Sequence, residues 1–325
     1  MAVTLSTEFE CRNESACVAC GGRQAENYLS APDRFFSRDI IYKLVRCPSC
    51  SLVWLSSPPL PSRIGEHYGP SYDSFIRKAT EKKSDQHWQQ TLSTIQKYKS
   101  GGSLLDLGCG AGSFLGAMRN PQWKLFGVEM SEQCATMARQ RTGATVFTGD
   151  VLDADITPGS LDVVTCFHVL EHVYSPAEVM AQVFSWLKPG GIFCVHVPNI
   201  GAAEARVFGT YWYPLELPRH LYHFSPASLS YLGKSLGFDE AELITCRVSF
   251  IEYSTRHILS SLLLRFGIPH PDLASASAPG LLWRIFRKGL RLTVLPALSA
   301  IISMTGQGQI VEAVFRKPFP VQAAE

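Results

Sequence analysis

SLLDLGCGAG, residues 103–112, is an apolar run that ends in an acid, a leucine and three glycines at alternate positions. A strand covered on both faces of a parallel sheet reads as such a run. A glycine turn at its carboxyl end is where open α/β sheets take their ligands. Gly108 permits a tight turn, and Gly110 lets backbone approach a ligand closely. A dinucleotide fingerprint counted from Gly108 needs its last glycine at 113, where Ser113 stands. The spacing here is GxGxG, with Asp106 two positions before the first glycine. A carboxylate there repels a pyrophosphate and attracts a cation.

Further short apolar runs flank this one: KLFGVE (124–129), ATVFTG (144–149), LDVVTCF (161–167) and GIFCVHV (191–197). They are β-branched and lack strict alternation, so they read as parallel strands with helices between them. Ser175-Pro176-Ala177-Glu178 reads as a capping box with proline at the first helical position. That helix is expected to stop at Lys188-Pro189-Gly190-Gly191. Ser225-Pro226 opens another helix, ending near Gly237. Glu129 closes the second strand, 21 residues past Gly108, where a carboxylate can accept both hydroxyls of a ribose. Asp150 follows the third strand, placed to accept from an adenine amino group.

With DLGCGAG, GVE at 127–129, GD at 149–150, FHVLEHV at 167–173 and LKPGG at 187–191, the chain resembles class I S-adenosylmethionine-dependent methyltransferases. The resemblance is to the small-molecule branch with an HVLEH segment, and covers about residues 100–250 plus a final strand. It implies a Rossmann-like α/β fold with a seven-stranded sheet whose last strand is antiparallel. QIVEAVFRK (309–317) is that strand, paired with ELITCRVSF (242–250). It further implies that Asp106, Gly108, Cys109, Gly110 and Gly112 cradle the methionine part of S-adenosyl-L-methionine. Glu129 and Met130 serve the ribose end, Asp150 and Val151 flank the adenine, and Phe167 and His168 line the cofactor.

Methyl transfer from a sulfonium is an in-line displacement, so catalysis is mostly positioning of the acceptor. A hydroxyl or carbon acid also needs a base. His172 stands beside Glu171 in the HVLEH segment. A second cluster is Arg219-His220-Leu221-Tyr222-His223-Phe224, similar to a stretch beside the acceptor pocket of related methyltransferases. His220, His223, Tyr222 and His172 are the catalytic candidates, the two loop histidines expected near the unperturbed pKa of about 6.5. The opposing reading is a structural cluster whose histidines bond backbone carbonyls.

Cys17-x2-Cys20 and Cys47-x2-Cys50 are separated by 26 residues. Two such knuckles offer four thiolates to one ion, the arrangement of a structural zinc site with no open position. Cys11 is a spare, and Cys109, Cys166 and Cys194 are expected to be small buried hydrophobes. Between the knuckles five bases face three acids, too little for a phosphate footprint. Nucleic acid is therefore not the expected partner.

The chain has 325 residues, of which 46% are hydrophobic, enough to bury a full core and to exclude wholesale disorder. Net charge is +2, and ten cysteines are too dilute for a disulfide scaffold. No secretory leader reads at the start, and no uncharged apolar stretch reaches spanning length. A cytoplasmic setting follows, with peripheral contact at the inner face of the membrane. That contact is expected through 280–304, where Arg284, Arg287, Lys288 and Arg291 share one helical face and Leu281, Leu282, Ile285, Phe286 and Leu292 the other.

The expected organisation is a zinc-ribbon-like module at 1–60, a helical linker at 61–100, the methyltransferase core at 101–250 with 309–320, and an apolar, basic helical insertion at 251–308. That insertion reads equally as a lid or dimer face. The expected activity is O- or C-methylation of a small-molecule or lipid-linked acceptor, sugar or quinone-like. Two alternatives stand beside it: a ribosomal or transfer RNA methyltransferase, and a non-catalytic assembly protein that keeps the core.

Overall fold

Leu104, Val163, Ile192 and Val314 pack on one side of the central sheet, and their chain neighbours Leu105, Val164, Phe193 and Phe315 pack on the other. Both faces are covered, which is why these strands carry apolar side chains at successive positions. The computed structural model describes residues 16–35, 38–68, 85–246, 248–265, 288–289, 300–301 and 308–320.

The sheet has seven strands: β4 (Gly102–Leu107), β5 (Trp123–Glu129), β6 (Thr145–Thr148), β7 (Leu161–Phe167), β8 (Leu187–Pro198), β10 (Asp239–Cys246) and β11 (Ile310–Arg316). Their order is β10-β11-β8-β7-β4-β5-β6. β4 pairs in parallel with both β5 and β7, while β11 runs antiparallel to β8 and β10. The chain leaves β4 toward β5 and β6, then crosses back to β7. The carboxyl ends of β4 and β7 therefore flank the switch point where a doubly wound sheet opens a crevice.

Helix α1 (Asp85–Gln96) precedes the sheet. Helices α2 (Ser113–Ala117), α3 (Glu132–Thr142), α4 (Pro176–Trp186) and α5 (Ala203–Phe208) follow β4, β5, β7 and β8 in turn. Helix α6 (Pro226–Ser235) leads into β10, and α7 (Ile251–Arg265) follows it. Ser225 makes a capping box with Ser228, and Gly237 closes that segment at φ 89. The box expected at Ser175 does not form: at φ −130 and ψ 68 its side chain makes no capping hydrogen bond, and Pro176 alone marks the start. The same helix ends at Trp186, before the Pro-Gly-Gly, because Leu187 already pairs with Leu161 and the four residues after it continue as strand. β10 ends at Cys246, short of the expected 250. The buried Glu204 carboxylate accepts the Phe250 amide and the Ser249 hydroxyl at the entry to α7.

The amino-terminal cysteine region makes a second sheet: β1 (Glu26–Asp33), β2 (Arg38–Arg46) and β3 (Val53–Leu55). Its fourth strand is β9 (Tyr222–His223), which comes from the methyltransferase-like part of the chain and pairs antiparallel with β3. Leu55 N–H adds a bond to the Leu221 carbonyl at 2.9 Å. The module is thus hydrogen-bonded into the core. Of the insertion, α7, the helical residues 288–289 and 300–301, and Gly308 are described, so the basic face expected at 284–292 lies almost wholly outside the described residues. Cys11 lies outside them as well. Among the described residues no helix is long and apolar enough to cross a membrane.

Candidate functional site

At the end of β4 the chain turns through Gly108 with φ 64, and a Cβ there would collide with Val169. The turn needs glycine for both reasons. Cys109 leans across β5, where a Cβ on Gly127 would stand 2.7 Å from its sulfur. Glu129 then ties the loop to the neighbouring strand. Its Oε2 accepts the Gly110 amide at 2.9 Å, and its Oε1 accepts the Ser131 amide at 2.9 Å. Asp106 is buried, and its Oδ1 accepts from the Thr165 hydroxyl at 2.7 Å across the β4–β7 pair.

Asp150 stands exposed after β6 and caps a single turn at Val151–Asp153, accepting the Leu152 amide at 2.9 Å. Val151 is buried beside it, and Met130 is 73% exposed at the mouth of the loop. Phe167 lies at the end of β7, in a stack the sequence did not reveal: Trp88 of α1 at 5.5 Å, Phe114 at 4.9 Å and His196 at 4.3 Å. Trp88 also donates its indole N–H to the Ser113 hydroxyl at 3.2 Å, which lays α1 along the glycine turn. His168 follows with φ 59, its amide donating to the His196 carbonyl. Open backbone at the glycines and carboxylates at three adjacent strand ends fit a ligand with a sulfonium and a dihydroxylated sugar.

The second cluster forms where the HVLEH segment meets the loop before β9. The ligating atoms of Glu171, His172 and His220 all lie within 4.8 Å of one another. Glu171 is 1% exposed, and neither of its oxygens has a hydrogen-bond partner among the described residues; His168 Nδ1 is 3.4 Å from Oε1. The Glu171 carbonyl accepts the Leu221 and Tyr222 amides at 2.8 and 3.2 Å. His172 Nδ1 lies 3.1 Å from the Arg219 carbonyl and 3.1 Å from the Tyr68 hydroxyl. A carbonyl can only accept, so Nδ1 carries the hydrogen and Nε2 keeps its lone pair. The rings of His172 and His220 meet edge to face at 4.5 Å.

His220 Nδ1 donates to the Pro214 carbonyl at 2.8 Å. Burial, then the neighbouring His172 and His223, hold His220 well below the ordinary imidazole range. Burial and His172 bring His223 down to about 3, and its Nε2 has no hydrogen-bond partner among the described residues. The expected pKa near 6.5 is thus corrected for both: the sheet pairing that brings them in also removes their water. Tyr222 is buried, with its hydroxyl donating to the Tyr174 carbonyl at 3.0 Å.

In the amino-terminal module Cys17 Sγ is 3.4 Å from Cys50 Sγ, and Cys20 Sγ is 3.5 Å from Cys47 Sγ. All four sulfurs lie within 4.8 Å of one another. A tetrahedral zinc with bonds of about 2.3 Å spaces its sulfurs by about 3.8 Å, so the donor set fits that ion. The two knuckles repeat one geometry: Gly21 N–H bonds the Cys17 carbonyl, and Ser51 N–H bonds the Cys47 carbonyl. Burial raises Cys17 to about 11. Burial also acts on Cys47, but the Cys50 amide, Cys20 and the Ser49 amide outweigh it and hold that thiol down to about 7. Cys109, Cys166 and Cys194 are buried and are not among the four grouped sulfurs.

A family model described as methyltransferase domain matches residues 79–243, just over half of the chain. The ubiquinone biosynthesis O-methyltransferase of Thiobacillus denitrificans is 32% identical over 156 residues, 44% of this chain and 67% of that protein. An uncharacterized 37.1 kDa protein of a Streptomyces fradiae transposon is 28% identical over 147 residues. The match spans only 43% of that protein's length and 43% of this chain. Among solved structures, the S-adenosylmethionine-dependent methyltransferase of Archaeoglobus fulgidus superposes with a TM-score of 0.50. It is 16% identical and covers 75% of this chain and 99% of its own, which speaks to the fold.

Proposed function

The chain belongs to the methyltransferase-domain family and is an S-adenosylmethionine-dependent methyltransferase; from that premise we propose that it methylates an oxygen or carbon of a small or lipid-linked acceptor, quinone- or sugar-like. The observation that carries the acceptor side is the histidine cluster at the carboxyl end of β7, beside the strand end that bears Phe167 and His168. The similarity to ubiquinone biosynthesis O-methyltransferases supports a hydroxyl as the group methylated.

The cofactor supplies an activated methyl on a positive sulfur. Asp106, Gly108, Cys109, Gly110 and Gly112 are proposed to hold its methionine end, Glu129 and Met130 the ribose, Asp150 and Val151 the adenine, and Phe167 and His168 the region between. Glu129 already satisfies two backbone amides, so its remaining lone pairs are fixed in direction for hydroxyl donors. On the acceptor side His172 takes the proton at Nε2, the nitrogen its Arg219 contact leaves bare. Glu171, one residue away and buried, stabilises the imidazolium so formed. His220, His223 and Tyr222 shape the wall behind it. His220 and His223 are neutral at physiological pH and add no charge to an apolar acceptor's pocket. We place a structural zinc in Cys17, Cys20, Cys47 and Cys50, and peripheral membrane contact through 280–304 remains part of the lipid-linked version.

The test is incubation of the zinc-loaded protein with methyl-labelled cofactor and cell extract, partitioned into lipid, aqueous and RNA fractions. Label in a lipid or small aqueous product supports the reading. Label in RNA, or cofactor binding without any transfer, overturns it.

A further inference from the structure

Asp33 and Arg219 lie 186 positions apart, and both side chains are completely buried. Guanidinium Nη1 donates to Oδ2 at 3.3 Å, and Nη2 donates to Oδ1 at 3.2 Å. Nη1 also donates to the His67 carbonyl at 3.2 Å, and Nε donates to Glu216 Oε1 at 3.4 Å. The Phe35 ring covers the fork, 4.8 Å from the guanidinium carbon. Asp33 closes β1 in the cysteine module; Arg219 opens the histidine segment.

Stability alone is a weak reason to keep such a pair. Taking two charges out of water costs about as much as their attraction returns, and apolar residues of similar size often serve as well. What a paired fork does supply is direction, because two parallel N–H groups fix the angle as well as the distance. Arg219 is well placed to pass that on. Its carbonyl holds His172 Nδ1 at 3.1 Å, its chain neighbour is His220, and the next two amides bond the Glu171 carbonyl. A second tie runs beside it. β3 begins three residues past Cys50 and pairs Val53 with His223 and Trp54 with Tyr222.

We propose that Asp33 and Arg219 are a positioning pair through which the four-cysteine module sets the histidine loop. The histidines 172, 220 and 223 come together only when the folded module presents Asp33. The catalytic use of that placement rests on the acceptor-side reading above; the placement itself does not.

The test uses the full zinc-loaded chain and two variants: Asp33→Asn, and the apolar double replacement Asp33→Leu with Arg219→Met, which removes both charges of the fork together. Hydrogen exchange is followed by mass spectrometry in the peptide 217–224 and in β4 and β5. In both variants exchange of 217–224 is expected to rise at least about tenfold relative to β4 and β5, with cofactor affinity by calorimetry unchanged. A rise of equal size everywhere, or no rise, in either variant overturns the proposal. Loss of cofactor binding by the unaltered protein would instead strike the methyl-transfer reading and leave this one standing.

Discussion

A carboxylate oxygen of Glu129 accepts the amide hydrogen of Gly110 at 2.9 Å, across 19 residues of sequence. The bond joins the end of β5 to the glycine turn after β4, so one side chain both shapes the loop and faces the ligand crevice. Glu129→Gln keeps the length of the side chain, removes its charge and leaves an acceptor for only one of the Gly110 and Ser131 amides. Bonds to a charged acceptor contribute about 1.5–3 kcal/mol, so cofactor affinity should fall about 10- to 100-fold by calorimetry. Undiminished affinity would refute the assignment of Glu129.

Gly108→Ala tests the turn itself. A left-handed backbone costs a side chain about 1–2 kcal/mol, and here the added carbon also meets Val169. The melting temperature should drop, and cofactor binding should weaken beyond what the stability loss explains. A variant that binds the cofactor normally would show that backbone closeness at 108 is not needed.

For the cysteine module, Cys50→Ser should reduce bound zinc well below one per chain in elemental analysis. Metal binding is folding energy in such modules, so chelator should lower the melting midpoint of the parent protein and leave the variant's nearly unmoved. Equal responses of the two proteins to chelator would dismiss the metal.

His223 makes stability depend on pH with a definite sign. Its folded pKa is depressed to about 3, against about 6.5 unfolded. The unfolded chain therefore binds the extra proton between those values. The contribution is fully present above about 6.5 and is lost as pH falls toward 3, at up to about 1.4 kcal/mol per pH unit. His223→Phe should flatten this part of the denaturation profile between pH 4 and 6, as read from urea midpoints. A profile as steep as the parent's would contradict a buried neutral imidazole.

His172→Gln removes the bare nitrogen on the acceptor side. Turnover should fall by about 10²- to 10⁴-fold, the usual worth of a positioned base, while cofactor affinity stays put. Loss of affinity in parallel with turnover would reassign His172 to cofactor binding.

Local chemistry was enough for much of this molecule. The apolar runs and the GxGxG turn named five parallel strands, and the extended pairs came within a few residues of their true ends. CxxC spacing brought four sulfurs together because a knuckle is built by its own short-range backbone bonds. Strand and helix ends escaped where a distant group intervened. Glu204 ended β10 early by capturing the Phe250 amide, and pairing of Leu187 with Leu161 stopped α4 ahead of its proline. The depressed histidines escaped for the same reason: a pKa follows burial, and burial follows from what packs against the loop. Sequence patterns of period two or 3.6 report which face a residue takes. They carry no term for which distant residue it meets, so the sharing of a sheet between β3 and β9, and the meeting of Asp33 with Arg219, belonged to tertiary structure alone.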